Sequence, residues 1–361
     1  MADVAGEALI GNRLIIYLRT LISRPALDFL EPLQALTGGF DATICRFQLK
    51  GAPPDYSPTL IIRIFPVQAA ERARREGAFQ GAVAAAGYPA PRIIHVCLDE
   101  AILGGAFVIM PLVPGKRLID AVLQPSLFAL RAPALLAEAQ ARLHDLDPLP
   151  IHRALEKADI DPGPQGTGGM LRVLREAFDR APDEGLRPGL EWLELHLPQD
   201  TGRHVICHLD FHPLNVLVED GHVTGVVDWA NVHFGEPAAD VGTTLMVLTL
   251  GPLEVPAPLA AVASAGRRWA ARRYLREYRR IRPVPMGRVE YHEALRCYIG
   301  LQHASERLSG TAAALPGATY AWGGPKEVAA LMRRFRALTG VVLDSTRLPL
   351  AGRDGRESLR R

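Results

Sequence analysis

Acids, amides and histidines crowd into one stretch of the chain, between His204 and Asp240. Asp210 and Asn215 follow a short apolar run, and Asp228 ends a second one. Carboxylate and amide oxygens are ligands that Mg²⁺ accepts, and a positioned carboxylate can accept or orient a hydroxyl proton. These residue types are the ones that magnesium-assisted phosphoryl transfer requires.

A predicted β-hairpin positions these side chains. Two apolar, β-branched runs, at 214–218 and 223–227, flank Asp220-Gly221, a pair typical of two-residue hairpin turns. With that pair in the turn, the register predicts three cross-strand pairs: Glu219 with His222, Val218 with Val223, and Asn215 with Val226. Asp228 then lies two residues, or about 7 Å, further along its strand. Asn215 and Asp228 are therefore expected at the same end of the hairpin.

The spacing resembles a known family. His208-Leu209-Asp210 with Asn215 five residues later, then Asp228-Trp229-Ala230, is similar to the catalytic and metal-binding loops of aminoglycoside phosphotransferases and choline-kinase-like enzymes. The longer match, HxDFHPxNVL followed by VVDWANVHFGEPAADVG, makes the resemblance specific. It implies an α+β, two-lobed protein-kinase-like fold. A small N-terminal lobe would hold an antiparallel sheet plus a helix, and a larger, mainly helical C-terminal lobe would carry the catalytic hairpin.

The resemblance also implies a division of the chain. Residues 1–110 are expected to form the nucleotide-binding lobe, 111–115 the hinge, and 116–345 the catalytic and substrate lobe. The polar, basic segment 346–361 is predicted to be disordered.

Each motif residue takes a role by the same resemblance. Asp210 is implied as the catalytic base, while Asn215 and Asp228 would hold Mg²⁺. Asp240 matches an aspartate that anchors the catalytic loop by hydrogen bonds. His144, after Leu143 at a predicted helix end, is interpreted as structural.

Two further positions are expected to contact the nucleotide phosphates. Gly38 and Gly39 lie in a turn between two strand-like runs, where the family places its phosphate loop, although GxGxxG is missing. Arg63 lies in the buried-type run TLIIRIF, at a position where the family usually carries a lysine. Arginine can also bind phosphate, through two parallel donors. The alternative places Arg63 on the solvent face of an edge strand.

A helix is predicted over 68–86, and Glu76 lies on its apolar stripe. A carboxylate there needs a buried cation, and Arg63 is the candidate, similar to the strand–helix ion pair of kinases. A local pair with Arg72 on a solvated face is the alternative.

A proline-rich break at 110–115 is the expected hinge. Pro111 cannot donate a hydrogen bond, so the Met110 carbonyl and the Leu112 amide are the predicted contacts of the nucleotide base.

Composition limits the class of protein. The chain has 361 residues, of which 48% are hydrophobic and 22% charged, as expected for a soluble globular protein. A net charge of +2 gives no reason to expect a nucleic-acid partner. Four widely spaced cysteines indicate reduced thiols in the cytoplasm. Early acids, Asp3 and Glu7, argue against a signal peptide, and no apolar run predicts a membrane span.

The predicted activity is transfer of the γ-phosphate of a nucleoside triphosphate, ATP or GTP, to a hydroxyl of a small molecule, with Mg²⁺ as cofactor. One alternative is a nucleotide-binding pseudokinase-like scaffold, which the arginine at 63 favours. Another is a zinc site, whose ligands would be His204, Cys207, His208 and His212, although their spacing is not usual. The Gly/Pro-rich segment 159–169 is predicted to be a flexible loop, either a substrate lid or a plain insertion.

The arginine-rich segment 267–282 bears on the acceptor. Solvated arginines on a helix are the simpler interpretation of each residue. Together they would repel a polycation, which predicts a neutral or anionic hydroxylated acceptor and not an aminoglycoside. Carboxylates of Glu236, Glu290 or Glu293 could reverse that prediction.

Overall fold

The computed structural model describes residues 4–36, 42–124, 127–251, 257–308, 324–344 and 348. Gly38 and Gly39 lie outside these ranges, as does the segment 346–361 except for Leu348. The chain forms two compact units. The first unit comprises Met1–Ala121, Leu149–Pro162 and Leu214–Ala230, and the second comprises Val122–Pro148, Gly163–Pro213 and Asn231–Arg361.

An antiparallel sheet forms the centre of the first unit. Its strands are β1 (Asp28–Ala35), β2 (Thr43–Lys50), β3 (Leu60–Ile64), β4 (His95–Cys97) and β5 (Phe107–Pro111), in the order β1-β2-β3-β5-β4. Its helices include α1 (Val4–Leu21), α2 (Ala70–Ala85) and α3 (Glu100–Leu103), with a 3₁₀ turn at Pro54–Tyr56. Apolar side chains of α1, such as Leu14 and Leu18, pack with Phe47, Ile62 and Phe107 of the sheet.

The remaining elements follow along the chain. They are β6 (Lys116–Arg117), α4 (Leu118–Val122), α5 (Phe128–His144), α6 (Pro148–Lys157), α7 (Gly166–Arg180), α8 (Arg187–Leu195), β7 (Val205–Cys207), β8 (Val216–Glu219), β9 (His222–Val226), β10 (His233–Gly235), α9 (Pro237–Leu250), a 3₁₀ turn (Ala257–Leu259), α10 (Ala260–Ile281), α11 (Met286–Leu308) and α12 (Pro325–Thr339). Strands β6, β8 and β9 form a small sheet in the first unit.

Helices build the core of the second unit. Leu190 of α8, Tyr298 of α11, and Leu331 and Phe335 of α12 belong to one buried apolar cluster. Helix α12 ends at Thr339 and is capped by Gly340, whose φ of +77° is the left-handed conformation that glycine adopts freely. The mixed α+β class is therefore as predicted, with an antiparallel sheet in the N-terminal region and helices towards the C-terminus.

Helix α5 begins at Phe128 and contains Pro133. The connection between β4 and β5 contains the short helix α3. One local prediction needs correction. Helix α7 begins at Gly166, inside the predicted loop 159–169, because small residues allow a tight approach: a Cβ on Gly169 would lie 3.2 Å from Pro164.

Residues 214–230 belong to the first unit, together with the N-terminal sheet. The predicted boundaries, 1–110, 111–115 and 116–345, follow chain order and place the hairpin with the C-terminal lobe. They remain a prediction. Among the described residues, no helix combines the length and the apolar character needed to span a membrane.

Candidate active site

The loop after β7 belongs to the second unit and is held by α9. Both carboxylate oxygens of Asp240 accept backbone N–H groups, from His208 and from Leu209, each at 2.8 Å. Leu209 has a φ of +56°, a conformation that costs free energy in a non-glycine residue. The carboxylate of Asp240 therefore stabilises an otherwise unfavourable loop. Its Oδ2 also lies 3.0 Å from Nε2 of the buried His144.

Asp210 is the carboxylate that this loop presents. Its residue is only 7% exposed, and its Oδ1 lies 3.2 Å from Nε2 of His212. Burial opposes ionisation, but the interactions with His212 and the charge of Arg296 outweigh it and lower the pKa of Asp210. The side chain is therefore an anion at neutral pH and can accept a hydrogen bond from a hydroxyl.

The hairpin of β8 and β9 lies in the first unit. Glu219 pairs with His222 and Val218 with Val223, as the turn predicts. The third predicted pair, Asn215 with Val226, is wrong. A β-bulge at Thr224 shifts the register, so Val226 pairs with Val216, and the Asn215 carbonyl accepts from Val227 N at 2.9 Å. The shift moves Asn215 one residue closer to Asp228 than predicted.

Asp228 lies just beyond the hairpin end, in the left-handed backbone conformation (φ +65°). The next residue, Trp229, is fully buried, and its indole N–H donates to the Val226 carbonyl at 2.9 Å. Its ring also packs edge-on against Tyr88, with centroids 5.9 Å apart. This buried anchor fixes the backbone at Asp228, whose side chain remains 40% exposed.

Arg63 joins three elements of the first unit. Its Nη1 lies 3.1 Å from Oε1 of Glu76 on α2 and 3.2 Å from Oδ1 of Asp228. The predicted strand–helix ion pair is therefore present, and both partners are buried. Strand β3 lies between β2 and β5, so the edge-strand alternative for Arg63 is wrong. The contact with Asp228 is a feature that the sequence did not predict.

The hinge segment differs in one respect from the prediction. The Leu112 amide donates to the Thr59 carbonyl at 2.8 Å, so it is already engaged within the sheet and is not a free donor for a nucleotide base. The Met110 carbonyl remains as the predicted contact. Beyond it, Thr224 Oγ1 donates to the Pro114 carbonyl at 2.6 Å, which links the predicted hinge segment to strand β9.

Comparison with known proteins identifies the family. The profile described as "Phosphotransferase enzyme family" matches residues 32–283, more than half of the chain. The chain belongs to this phosphotransferase family. The match covers Arg63, Glu76 and every motif residue from Asp210 to Asp240.

Curated relatives match a shorter stretch. Acyl-CoA dehydrogenase family member 10 from Mus musculus is 30% identical over 188 residues, covering 49% of this chain and 17% of that protein. Acyl-CoA dehydrogenase family member 11 from Gallus gallus is 29% identical over 179 residues, covering 48% of this chain and 22% of that protein. The chain thus spans less than a quarter of the length of these two relatives.

Solved structures share the fold. A Ralstonia eutropha JMP134 protein to which an aminoglycoside phosphotransferase function is attributed has a TM-score of 0.60 and 19% identity, covering 91% of this chain and 95% of its own. The macrolide 2'-phosphotransferase of Brachybacterium faecium gives 0.55 and 18%, covering 91% and 99%. A thermostable mutant of aminoglycoside phosphotransferase APH(4)-Ia, in a ternary complex with AMP-PNP and hygromycin B, gives 0.53 and 16%, covering 89% and 97%. The chain therefore has the protein-kinase-like fold.

The zinc alternative does not fit the structure. His204 Nε2 lies 3.1 Å from the Asp200 carboxylate, Cys207 Sγ donates to the Glu236 carbonyl, and His212 contacts Asp210. Within the described ranges, the one group with metal-ligand proximity is instead His144, Cys207 and Asp240. Hydrogen bonds already occupy those atoms, including the one between His144 Nδ1 and Tyr278 OH at 2.6 Å.

A second buried carboxylate, Glu236, lies just before α9. It accepts from Thr167 Oγ1 at 3.0 Å and from Arg288 Nη1 at 2.5 Å, while His292 Nε2 lies 3.9 Å away. Burial opposes ionisation, but His292 and Arg288 outweigh it and lower the pKa of Glu236 to about 2. Glu236 and Glu293 are thus both engaged by arginines, since Arg334 Nε donates to Glu293 at 2.7 Å.

The arginine-rich helix α10 presents its apolar side, Ala271, Tyr274 and Tyr278, to the protein interior. Arg273, Arg276 and Arg280 surround Glu277, while Arg282 pairs with Asp145. Most of these arginines are exposed or half-exposed, which is the simpler interpretation given above.

Sequence reasoning overlooked two residues that act on Asp210. His212 stands in the HPxN motif, so its position two residues after Asp210 was a usable signal. Arg296 lies in α11, far along the chain, and no local pattern links it to Asp210.

Proposed function

We propose that this phosphotransferase moves the γ-phosphate of ATP, or of GTP, to a hydroxyl group of a small molecule. The observation that carries the proposal is Asp210: a buried carboxylate, kept ionised by its neighbours, in a loop that Asp240 holds in place. In this role Asp210 orients the acceptor hydroxyl and accepts its proton.

The hairpin end supplies the candidate magnesium ligands. Asn215 offers an amide oxygen and Asp228 a partly exposed carboxylate, and the bulged register brings their backbones close together. Both are hard oxygen donors, so the donor set fits Mg²⁺. When bound, the ion neutralises charge on the nucleotide phosphates.

The nucleotide is assigned to residues of the first unit. Arg63, held by Glu76, is proposed to bind the phosphates, and the Met110 carbonyl to accept from the base. Gly38 and Gly39, which lie outside the described residues, are proposed for the phosphate loop. A relative crystallised with AMP-PNP and hygromycin B supports a nucleotide and a hydroxylated small molecule as the two substrates.

The pseudokinase-like alternative rests on arginine in place of lysine. The structure weakens that argument, because Arg63 occupies a buried ion pair with Glu76 and reaches Asp228. Arginine can bind phosphate oxygens through parallel N–H donors, so its presence at position 63 does not by itself argue against phosphoryl transfer.

For the acceptor we propose a neutral or anionic molecule and not an aminoglycoside. Both buried carboxylates that could have attracted ammonium groups, Glu236 and Glu293, are already paired with arginines. Glu290 is exposed on α11. Two relatives carry acyl-CoA in their names, so hydroxylated acyl-CoA thioesters belong in any acceptor panel.

The test is ADP release from ATP across hydroxylated compounds, with magnesium present and absent. The panel includes polyols, hydroxycarboxylates, hydroxyacyl-CoA thioesters and kanamycin. We expect magnesium-dependent release with a neutral or anionic compound and none with kanamycin. Efficient kanamycin phosphorylation would overturn the acceptor assignment, while failure of every compound together with failure to bind nucleotide would overturn the phosphotransferase proposal.

A further inference from the structure

One face of α11 carries a row of basic side chains. Arg288, His292, Arg296 and His303 follow one another at intervals of four, four and seven residues, which places them on one side of a helix. His292 and His303 are buried, whereas Arg288 and Arg296 are partly buried. Removing a polar group from water costs free energy unless the group finds a hydrogen-bond or ionic partner. Each side chain in this row is therefore expected to have such a partner, either within the protein or in a ligand.

The first two members have partners. Arg288 donates to the Glu236 carboxylate and to the Gln199 carbonyl at 2.5 and 2.6 Å. Nε2 of His292 lies 3.3 Å from Thr167 Oγ1. This half of the row is part of the protein's own hydrogen-bond network.

Arg296, one helical turn further on, differs. Counting only residues that the structure describes, its guanidinium forms no ion pair and no hydrogen bond. His303 Nε2 also has no hydrogen-bond partner among the described residues, and the residue is buried, with only 9% of its surface exposed. Burial, together with the charges of Arg296 and Arg307, lowers the pKa of His303 to about 3, so this imidazole is neutral.

Helix α9 fixes this part of α11 relative to the catalytic loop. Asp240 of α9 binds two loop amides, and Thr244 Oγ1 donates to the Phe211 carbonyl at 2.9 Å. At Gly242 the two helices touch: a Cβ there would lie 2.8 Å from both Glu293 N and Val289 O. The positive charge of Arg296 contributes to the lowered pKa of Asp210.

We propose that Arg296 binds an oxyanion of the acceptor, a carboxylate or a phosphate group, and so brings the acceptor hydroxyl to Asp210. A guanidinium offers two parallel N–H donors that match such a group. The neutral imidazole of His303 can add a further donor. An anionic acceptor would otherwise be repelled by the ionised Asp210, and the cation of Arg296 offsets that repulsion. This inference rests on the proposed function and names its acceptor class.

The test uses the full chain and matched pairs of compounds. The probes are glycerate and longer hydroxycarboxylates, their neutral amides, and glycerol 3-phosphate with glycerol as its neutral counterpart. Binding is measured by thermal shift and calorimetry for wild type, Arg296→Gln, Arg296→Lys and Arg333→Gln. Arg333 is exposed on α12 and serves as the charge-matched control.

We expect an anionic probe to bind wild type and Arg333→Gln, and its neutral partner to bind weakly. Arg296→Gln should raise the dissociation constant of the anion by about 10-fold or more, as loss of a hydrogen bond to a charged group does. Arg296→Lys should recover part of the affinity. Preference for carboxylate probes over glycerol 3-phosphate, or the reverse, identifies which oxyanion the acceptor carries.

Two results would overturn the inference. One is that no anionic probe binds the wild-type protein better than its neutral partner does. The other is that Arg296→Gln weakens the binding of anionic and neutral probes equally, which would make Arg296 only an electrostatic partner of Asp210. Stabilisation by magnesium and AMP-PNP, measured in parallel, reports on the nucleotide site alone. Its failure would count against the proposed function and leave the anion result standing.

Discussion

Arg63 donates from Nη1 to Oδ1 of Asp228 across 3.2 Å. The same nitrogen lies 3.1 Å from Oε1 of Glu76, so one guanidinium links the central strand, helix α2 and the hairpin end. A guanidinium has five N–H donors in a fixed plane, whereas a lysine is a point charge. One guanidinium nitrogen of Arg63 therefore contacts carboxylates from two different elements.

The buried ion pair predicts a stability cost. Glu76→Ala leaves the Arg63 charge in a buried site with one carboxylate fewer, and should lower the free energy of unfolding by about 3–5 kcal/mol. Asp55→Ala is the control, since its partner Arg92 and Asp55 itself are both more than half exposed, and should cost about 0–1 kcal/mol. Urea denaturation measures both. Equal, small losses in the two variants would show that the pair adds no stability.

Arg63 substitutions separate charge from shape. Arg63→Lys keeps the cation and should retain some phosphoryl transfer, while Arg63→Ala should retain little. ADP release and nucleotide affinity provide the measurements. An Arg63→Ala variant with wild-type nucleotide affinity would show that Arg63 serves the fold and not the nucleotide.

The metal assignment predicts unequal effects at the hairpin end. Asp228→Ala removes a charged ligand and should abolish the magnesium-dependent part of nucleotide stabilisation. Asn215→Ala removes only a neutral ligand and should weaken it less. Glu219→Ala, an exposed acid of the same hairpin, is the control. Thermal shifts with AMP-PNP, with and without magnesium, check this, and a magnesium response that survives Asp228→Ala would contradict the assignment.

Asp210→Asn tests the base. The substitution keeps the side-chain shape but removes the carboxylate, so phosphoryl transfer should fall by about 10²-fold or more, in line with general-base contributions. Nucleotide binding should remain. Asp179→Asn, an exposed acid on α7, should leave ADP release unchanged. Wild-type turnover in Asp210→Asn would end the assignment.

Glu236 predicts a pH dependence. Its pKa in the folded protein is about 2, below the ordinary value of 4.5, so the native state favours the ionised form. The stabilisation is present above pH of about 4.5 and is lost as pH falls through the interval between the two values. Glu236→Gln should therefore show a smaller drop in melting temperature between pH 6 and pH 3 than wild type.

Arg288→Gln provides the matched comparison for Glu236. It removes the cation that contributes to the low pKa, so it should also flatten the acid limb of the stability profile. Profiles of both variants parallel to wild type would show that Glu236 is not ionised preferentially in the folded state.

Some of the hairpin could be predicted from sequence because its chemistry is local. Asp220-Gly221 determines the turn, and the two pairs next to it followed directly. The bulge at Thr224 could not be predicted in this way. It accompanies contacts from a distant segment, namely the hydrogen bond to Pro114 and the close approach of Val113 to Gly225.

The same distinction applies to the site. Glu76 on an apolar stripe needed a buried cation, and Arg63 was the available one, so their pair was predictable from burial and charge. The Leu112 amide was misassigned because its partner, the Thr59 carbonyl, depends on the register between β3 and β5. No sequence pattern could have linked Arg296 to Asp210. Its charge influences the Asp210 carboxylate because α11 packs against α9 in the folded protein.

Because of the bulge at Thr224, the position of Asp228 depends on the number of residues in β9 as well as on their identity. Between the turn and Asp228, β9 carries one residue more than its partner strand. Deleting one residue there would restore a regular ladder, yet it would draw Asp228 back by about 3.3 Å and turn its side chain to the opposite face. Loss of a single residue here would therefore displace the proposed metal ligand Asp228, even where every neighbouring residue is unchanged.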